Sequence, residues 1–456
     1  MRFSKAIRLL AALLMLITLC SCDNMMGVSD QLMRPPYPAG DGKNIQEELD
    51  NSLGNVTLKY PKSGNYRSAI IQIDINGNGT NEAIAFYRKD TASFVSLAVL
   101  TQDDGKWQVA ATRQSDGGEV ERVMFGDTDG DGTKEIIVGW TIYSTGSNII
   151  SAYSFHNDTI TPIDVREYSE TLANNISVAY TDMQIYDFDG DGKDEIIASY
   201  INIFDSSATA KLVELYSGVD NANTMMVTDT APLDGHVLSY TESKVAKITD
   251  DSTYGVVLDG LKDNSTSITE YIYWDSTNGD LMTPFYNAEE QSVSQTVRNI
   301  AVTTRDIDSD GVLDIPVTEL LSGYDTTSET PMYLTTWYSF DFDSKGYSLI
   351  SKKKTVINTS ESYSITWQSS WENRVTCRID SKNRIMYFYH YQKDKFAFSD
   401  EIFRIKVFTR NEWKELSEDS GYAAIRKTTD SVYAASVSTG QTFADIKSLK
   451  AYFSLM

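Results

Sequence analysis

Four short acidic loops recur in one register along the chain, and no other feature limits its fold as tightly. They read Asp74-Ile-Asn76-Gly-Asn78-Gly-Thr-Asn-Glu82, Asp127-Thr-Asp129-Gly-Asp131-Gly-Thr-Lys-Glu135, Asp187-Phe-Asp189-Gly-Asp191-Gly-Lys-Asp-Glu195 and Asp306-Ile-Asp308-Ser-Asp310-Gly-Val-Leu-Asp314. Each has oxygen-bearing side chains at positions 1, 3, 5 and 9 and glycine at position 6. Alternate positions of a tight turn can aim their side chains at one point, and glycine permits the sharp backbone turn. A hard cation such as Ca²⁺ takes six to eight oxygens in a flexible cage. Asp, Asn and Gly are also ordinary turn residues. An acid at position 9 in all four copies favours metal over plain turn chemistry. Up to four calcium ions are therefore expected. The Asp74 loop should be the weakest, because Asn76 and Asn78 replace carboxylates. The last loop is less regular, with Ser309 in place of glycine and Pro316 in the outgoing strand.

The spacing excludes an EF-hand, which closes with a glutamate at position 12 between two helices. Here position 12 is Ala85, Val138, Ala198 or Val317. The flanking segments, such as Val123-Met-Phe125, Glu135-Ile-Ile-Val-Gly-Trp140 and Glu195-Ile-Ile-Ala-Ser-Tyr200, are β-branched and aromatic and predict strands. Each loop is then the turn of a β-hairpin.

The loops begin at 74, 127, 187 and 306, so the last gap spans about two periods. Val245-Ala-Lys-Ile-Thr-Asp250-Asp-Ser-Thr-Tyr-Gly255-Val-Val-Leu258 fills it with a strand–turn–strand pattern that lacks the ligands. This makes five units. Around the first loop, Ile70–Ile73, Ala83–Tyr87, Val95–Thr101 and Trp107–Thr112 predict four strands. Four-stranded units repeated about an axis form a β-propeller. The alternative is a linear array of small β domains, each with little core of its own.

The D-x-D-G-D-G-x-x-E pattern followed by an apolar strand resembles the FG-GAP/VCBS repeats of integrin α-subunit propellers and bacterial surface proteins. The resemblance covers roughly residues 64–350 and implies an all-β propeller with calcium in inter-strand hairpins. It also implies up to seven blades, of which five are recognisable.

The N-terminus reads as an address. Arg2, Lys5 and Arg8 precede an apolar stretch over Leu9–Leu19, too short to span a bilayer. Leu19-Cys20-Ser21-Cys22 resembles a bacterial lipobox, which implies lipidation at Cys22 and removal of residues 1–21. The expected localisation is extracytoplasmic, with the lipid holding the chain to the cell membrane. Residues 22–54 read as a tether containing a short helix over Asn44–Leu53, with Asn44 as its cap and Gly54 beyond its end.

Charge divides the rest. The whole chain carries a net −24, yet residues 351–456 hold 17 basic and 12 acidic residues. A boundary is expected near 350, between propeller repeats over 55–350 and a small α+β domain over 351–456. The first strands of that domain are alternatively the last of the propeller. Lys352-Lys-Lys354 reads as a solvated linker. The C-terminal stretch Thr442–Phe453 has an apolar helical face of Phe443, Ile446, Leu449 and Phe453.

No catalytic motif is present. The three histidines have no metal-ligand spacing, and H-E-x-x-H, G-x-S-x-G and a phosphate-cradling loop are missing. Cys377 fits a buried strand position better than a nucleophile. The expected function is a non-enzymatic, lipid-anchored binding or adhesion platform for an extracellular protein or carbohydrate. Strong net acidity argues against nucleic acid. The alternatives are a polysaccharide- or cell-wall-acting enzyme and an accessory subunit of an envelope complex.

Overall fold

The computed structural model describes residues 41–456 apart from 91, 116, 218–222, 250, 251, 344, 345, 394–397 and 399. The signal segment, Cys22 and Asp250 lie outside the described residues. The chain divides into two compact units, residues 1–60, 68–74 and 79–115, and residues 61–67, 75–78 and 116–456.

In the smaller unit a helix, α1, runs over Asp41–Leu53. It starts ahead of the expected Asn44 cap and ends as expected, with Gly54 at φ 80° donating its N–H to the Asp50 carbonyl. Ile45 and Leu49, one turn apart, are fully buried against Ala83, Ala85, Ala98, Leu100 and Trp107. Each such burial contributes about 1.5–3 kcal/mol. The expectation of a tether over 22–54 is therefore corrected for residues 41–53, which are part of a folded core. Strands Glu82–Lys89, Ser96–Asp103 and Lys106–Gln114 form an antiparallel meander. Val56–Lys59 and Ile70–Ile73 share the outer edge of the first of these.

The larger unit repeats that plan. Glu119–Gly126, Glu135–Thr141, Asn148–His156 and Thr159–Ser169 form one meander. Asp182–Tyr186, Glu195–Asn202, Ser207–Ser217 and Asn223–Leu233 form the next. Parallel pairing of Thr224–Met226 with Asp164–Arg166 joins the two into one ten-stranded sheet. The ligand-free unit is a sheet of its own, Ser239–Lys247, Tyr254–Leu261, Ser267–Asp275 and Asp280–Met282. Second strands are the most buried: Ile136, Ile137, Val138 and Trp140 of Glu135–Thr141 are all at or below 1 % exposure. That explains the unbroken apolar runs after each loop, since both faces are covered.

Ile315–Leu320, Tyr333–Asp343, Gly346–Asn358 and Tyr363–Thr366 form a further sheet, to which Phe453–Leu455 adds an edge. Residue 350 lies inside the hairpin of this sheet, so the boundary expected there is corrected. The sheets divide after Thr366, and Lys352-Lys-Lys354 is strand, not linker. The last sheet holds Val375–Asp380, Ile385–His390, Glu401–Thr409, Ser431–Val437 and Ala423–Lys427. Two short helices, α2 over Arg410–Glu415 and α3 over Ile446–Tyr452, carry capping boxes at Thr409 and Asp445. Leu449 of α3 packs with Phe388, Phe403 and Trp371 and with Val356 and Ile365 of the preceding sheet. The C-terminal residues thus share a core with the sheet before them instead of forming a separate domain. Cys377 is buried there, and burial pushes its thiol far above the ordinary value, which leaves it inert as a nucleophile.

One buried acid sets a pH dependence. Glu270 is fully enclosed; its Oε1 accepts from the Asp234 N–H at 2.8 Å while Oε2 has no partner. Burial, then the nearby Asp234 charge, pushes its carboxyl from 4.5 up to about 8. Between those values the folded protein keeps a proton that the unfolded chain has lost, so stability falls as pH rises through this window. Glu270→Gln should remove that slope. Its thermal midpoint should exceed that of the parent at pH 8 and match it near pH 5, and parallel midpoints at both would refute the assignment.

Candidate functional site

The three loops of the larger unit share one hydrogen-bond scheme. The position-1 carboxylate accepts from the N–H of positions 4 and 6: Gly130 and Gly132 to Asp127 at 2.8 and 2.9 Å, Gly190 and Gly192 to Asp187 at 2.7 and 3.1 Å, and Ser309 and Gly311 to Asp306 at 2.6 and 2.9 Å. Position 5 accepts from the N–H of position 7 at 2.8–2.9 Å. The acid at position 9 reaches back to the N–H of position 2, at 2.8 Å for Glu135 and Glu195 and 3.0 Å for Asp314. Positions 4 and 6 have positive φ, which glycine adopts without strain. Ser309 takes φ 67° in the fourth loop, a conformation that costs a side-chain-bearing residue roughly 1–2 kcal/mol.

These turns bring carboxylates together. Asp187, Asp189, Asp191 and Glu195 each place an oxygen within 4.8 Å of the others, as do Asp127, Asp129 and Glu135, and Asp306, Asp308 and Asp314. Asp131 and Asp310 stand outside their sets, turned toward Thr133 and Lys352 respectively. In the first loop Asp74 and Glu82 belong to the smaller unit and Asn76 and Asn78 to the larger. There Asp74 accepts from the Gly79 N–H at 2.8 Å, and Asn76 from the Asn78 N–H at 3.0 Å.

Two observations fit a cation. Glu135 Oε1, Asp314 Oδ1 and Asp74 Oδ1 are buried with no protein partner, an arrangement that is costly unless something positive satisfies them. Burial first, and then neighbouring carboxylates, push the closing acids up: Glu195 to about 8, Asp314 to about 6, and Glu135 in the same direction. An oxygen-rich cage of this kind suits a hard divalent ion. The first three loops lie in hairpins as expected. The fourth differs, because only the single bridge between Arg305 and Asp314 flanks it and no regular strand leads in.

The loops also connect consecutive sheets. The position-8 N–H of each loop donates to a backbone carbonyl earlier in the larger unit: Lys134 to Ile75 at 2.7 Å, Asp194 to Asp127 of the preceding acidic loop at 2.8 Å and Leu313 to Lys247 of the ligand-free sheet at 3.2 Å.

First strands of successive sheets adjoin in the same way, and they line a cavity of about 600 Å³. Arg122 donates to Ser63 Oγ at 3.0 Å, to the Met183 carbonyl at 2.9 Å and to Asp182 at 2.6 Å. Gln184 donates to Ser243 Oγ at 2.9 Å. Lys244 donates to Glu242 at 2.5 Å and to the Thr304 carbonyl at 2.8 Å. Tyr66 stands edge-on to Phe125 at the same wall. Burial opposes the Arg122 charge, but the Asp182 carboxylate outweighs it and raises the pKa. Burial pushes the Glu242 carboxyl up, and the hydrogen bonds from Lys244 and Thr303 together with the nearby Lys244 and Arg305 charges bring it below its ordinary value. Sequence reasoning missed these residues. A signal was there: Ser63, Arg122, Asp182 and Glu242 recur at the blade period.

Four-stranded sheets repeated with their first strands side by side, and with acidic loops in their hairpins, define a β-propeller. No protein-family model matches the chain, and no curated protein matches it. Among solved structures it is similar to a rhamnogalacturonan lyase of Bacillus licheniformis, with 14% identity, a TM-score of 0.30 and coverage of 76% of this chain and 75% of that one. It is also similar to the Dos1 propeller, with 9% identity, a TM-score of 0.30 and coverage of 84% and 72%. A third is the exo-β-1,3-galactanase of Phanerochaete chrysosporium, with 11% identity, a TM-score of 0.28 and coverage of 84% and 89%. The expectation of a non-enzymatic protein is corrected by this set. Two of the three are enzymes by name, a lyase and a galactanase. At these TM-scores the likeness assigns no catalytic role to any residue. Among the described residues no helix is long and apolar enough to cross a membrane.

Proposed function

We propose that this chain is an extracytoplasmic, lipid-anchored β-propeller, held together by calcium in its acidic loops, that binds carbohydrate in the cavity between its first strands. The observation that carries the reading is the cavity wall itself. Arg122, Asp182, Gln184, Glu242 and Lys244 present charged and planar polar groups beside Tyr66 in a space of about 600 Å³. That volume fits a small oligosaccharide, and a few well-placed polar groups in a preformed concavity are what fix such a ligand. Each wall cation is already paired, Arg122 with Asp182 and Lys244 with Glu242, so these four side chains present balanced donors and acceptors to a polyhydroxylated ligand. Calcium is the ion because every candidate ligand is an oxygen and the loops are flexible in coordination number. The anchor rests on the lipobox-like Leu19-Cys20-Ser21-Cys22.

Calorimetric titration with oligogalacturonate and with neutral galacto-oligosaccharide tests the site. We expect at least one of the two sugars to bind and Gln184→Leu to weaken it by roughly tenfold, the loss of one or two hydrogen bonds in a buried site. No heat with either sugar, or an unchanged isotherm for the variant, would remove the cavity from consideration. A second reading uses the same cavity as an active site, because Asp182 and Glu242 both line it. New reducing or unsaturated ends after incubation with polymer would separate catalysis from binding alone.

A further inference from the structure

Building on the calcium reading of the loops, the geometry points to Lys352 as a tethered ammonium that competes with metal in the fourth loop. Lys352 belongs to strand Gly346–Asn358 and extends to the loop that opens its own sheet. Its Nζ lies 3.0 Å from Asp310 Oδ2 and 3.8 Å from Asp308 Oδ2. These are positions 5 and 3 of the metal-loop pattern.

The third loop shows the arrangement without such an intruder. There all four carboxylates converge; the position-5 carboxylate stands apart in the other two, on the loop's own Thr133 in the second and on Lys352 in the fourth, and only in the fourth does a lysine from another strand hold it. The nearest cation of the third loop, Lys193, sits on the loop itself, half exposed and 3.8 Å from Asp191. Lys352 instead arrives from another strand, with a side chain only 26% exposed, and makes a hydrogen bond. A single ammonium charge neutralises part of the cluster and occupies oxygens that an ion would need. It does not complete the shell, since Asp314 Oδ1 stays buried and without a partner. The fourth loop is thereby a weakened calcium site whose turn is ordered in part by the protein's own cation. The order of affinities follows: the third loop is the tightest, and the fourth is held below what its acid count alone would give.

The test is a calcium titration by calorimetry on the intact chain, on Lys352→Met, on the second neutral variant Lys352→Gln, and on the double variant Lys352→Met with Asp314→Asn. Removing one full positive charge at about 3–4 Å should tighten one site by about tenfold. The gain should appear in both neutral variants and vanish in the double variant, which places it in the fourth loop. Calcium uptake by the parent with identical isotherms for the neutral variants overturns the role of Lys352 and leaves the calcium reading intact. No uptake by any of the proteins overturns both.

Discussion

On the proposed calcium reading, withdrawing the ion with a chelator should lower the thermal midpoint of this protein by on the order of 10 °C. The magnitude follows from linkage. A site held at about a hundred times its Kd adds about 2.7 kcal/mol to the folded state. Roughly 2 °C accompanies each kcal/mol in a domain of this size. Three carboxylate-rich loops then account for the shift. The structural reason is that without a cation each of these loops keeps several carboxylates within 4.8 Å of one another, and the second and fourth bury closing oxygens, Glu135 Oε1 and Asp314 Oδ1, that no protein group satisfies. Because the Asp194 N–H ties the third loop to the second and the Leu313 N–H ties the fourth to the ligand-free sheet, the penalty spreads beyond each loop. Scanning calorimetry with calcium and with chelator checks it, and coincident midpoints would sink the metal assignment. Magnesium should restore little, since it demands octahedral geometry and gives up water reluctantly.

Arg298→Met costs about 3–5 kcal/mol and is the most damaging single substitution we expect. Arg298 and Asp259 are each about 1% exposed and meet at 2.6 Å. Arg298 also donates to Thr269 Oγ1 at 2.8 Å and to the Val302 carbonyl at 2.5 Å. Asp259 accepts from the Thr304 N–H and hydroxyl at 2.8 and 2.7 Å. The clasp ties the ligand-free sheet, through Asp259 and Thr269, to the segment that leads into the fourth loop. Removing the guanidinium strands a buried carboxylate, which is far costlier than the pair's net contribution. A paired change, Arg298→Met with Asp259→Leu, should therefore recover part of the loss. Urea unfolding of the two proteins measures both steps. A single variant within about 1 kcal/mol of the parent would show that the clasp is dispensable.

Much of the fold was legible because its signals are local. Position-specific oxygens and glycines must lie within nine residues of one another to make a metal loop, so Asp187 through Glu195 could be read as a unit. The ligand-free sheet was found by its period, from Val245 and Leu258, with Asp250 itself outside the described residues. The end of α1 was marked by Gly54. What escaped depends on pairing across distance. Charge composition placed a boundary at 350, but net charge is a property of surfaces, and the hairpin through Gly346 is decided by which strands bury Leu334, Val356 and Ile365. The cavity escaped for the same reason. Arg122 and Asp182 are sixty residues apart, and neither carries a motif. Helix α2 was missed because it is a single short stretch capped by Thr409 and Glu412, with no buried residue to give it a periodic stripe.

The edge strand Phe453–Leu455 completes a sheet whose first strand is Ile315–Leu320. A chain emerging N-terminus first can finish the earlier meanders as each is made, because their partners are close in sequence. This one sheet must wait with its Tyr363–Ile365 edge unpaired until Phe453 arrives, and Phe453 also stacks on Tyr363 at 5.2 Å. Unpaired edges of that kind invite wrong partners. The interval between synthesis of Thr366 and of Phe453 is thus a stretch of biogenesis in which this sheet is exposed to aggregation.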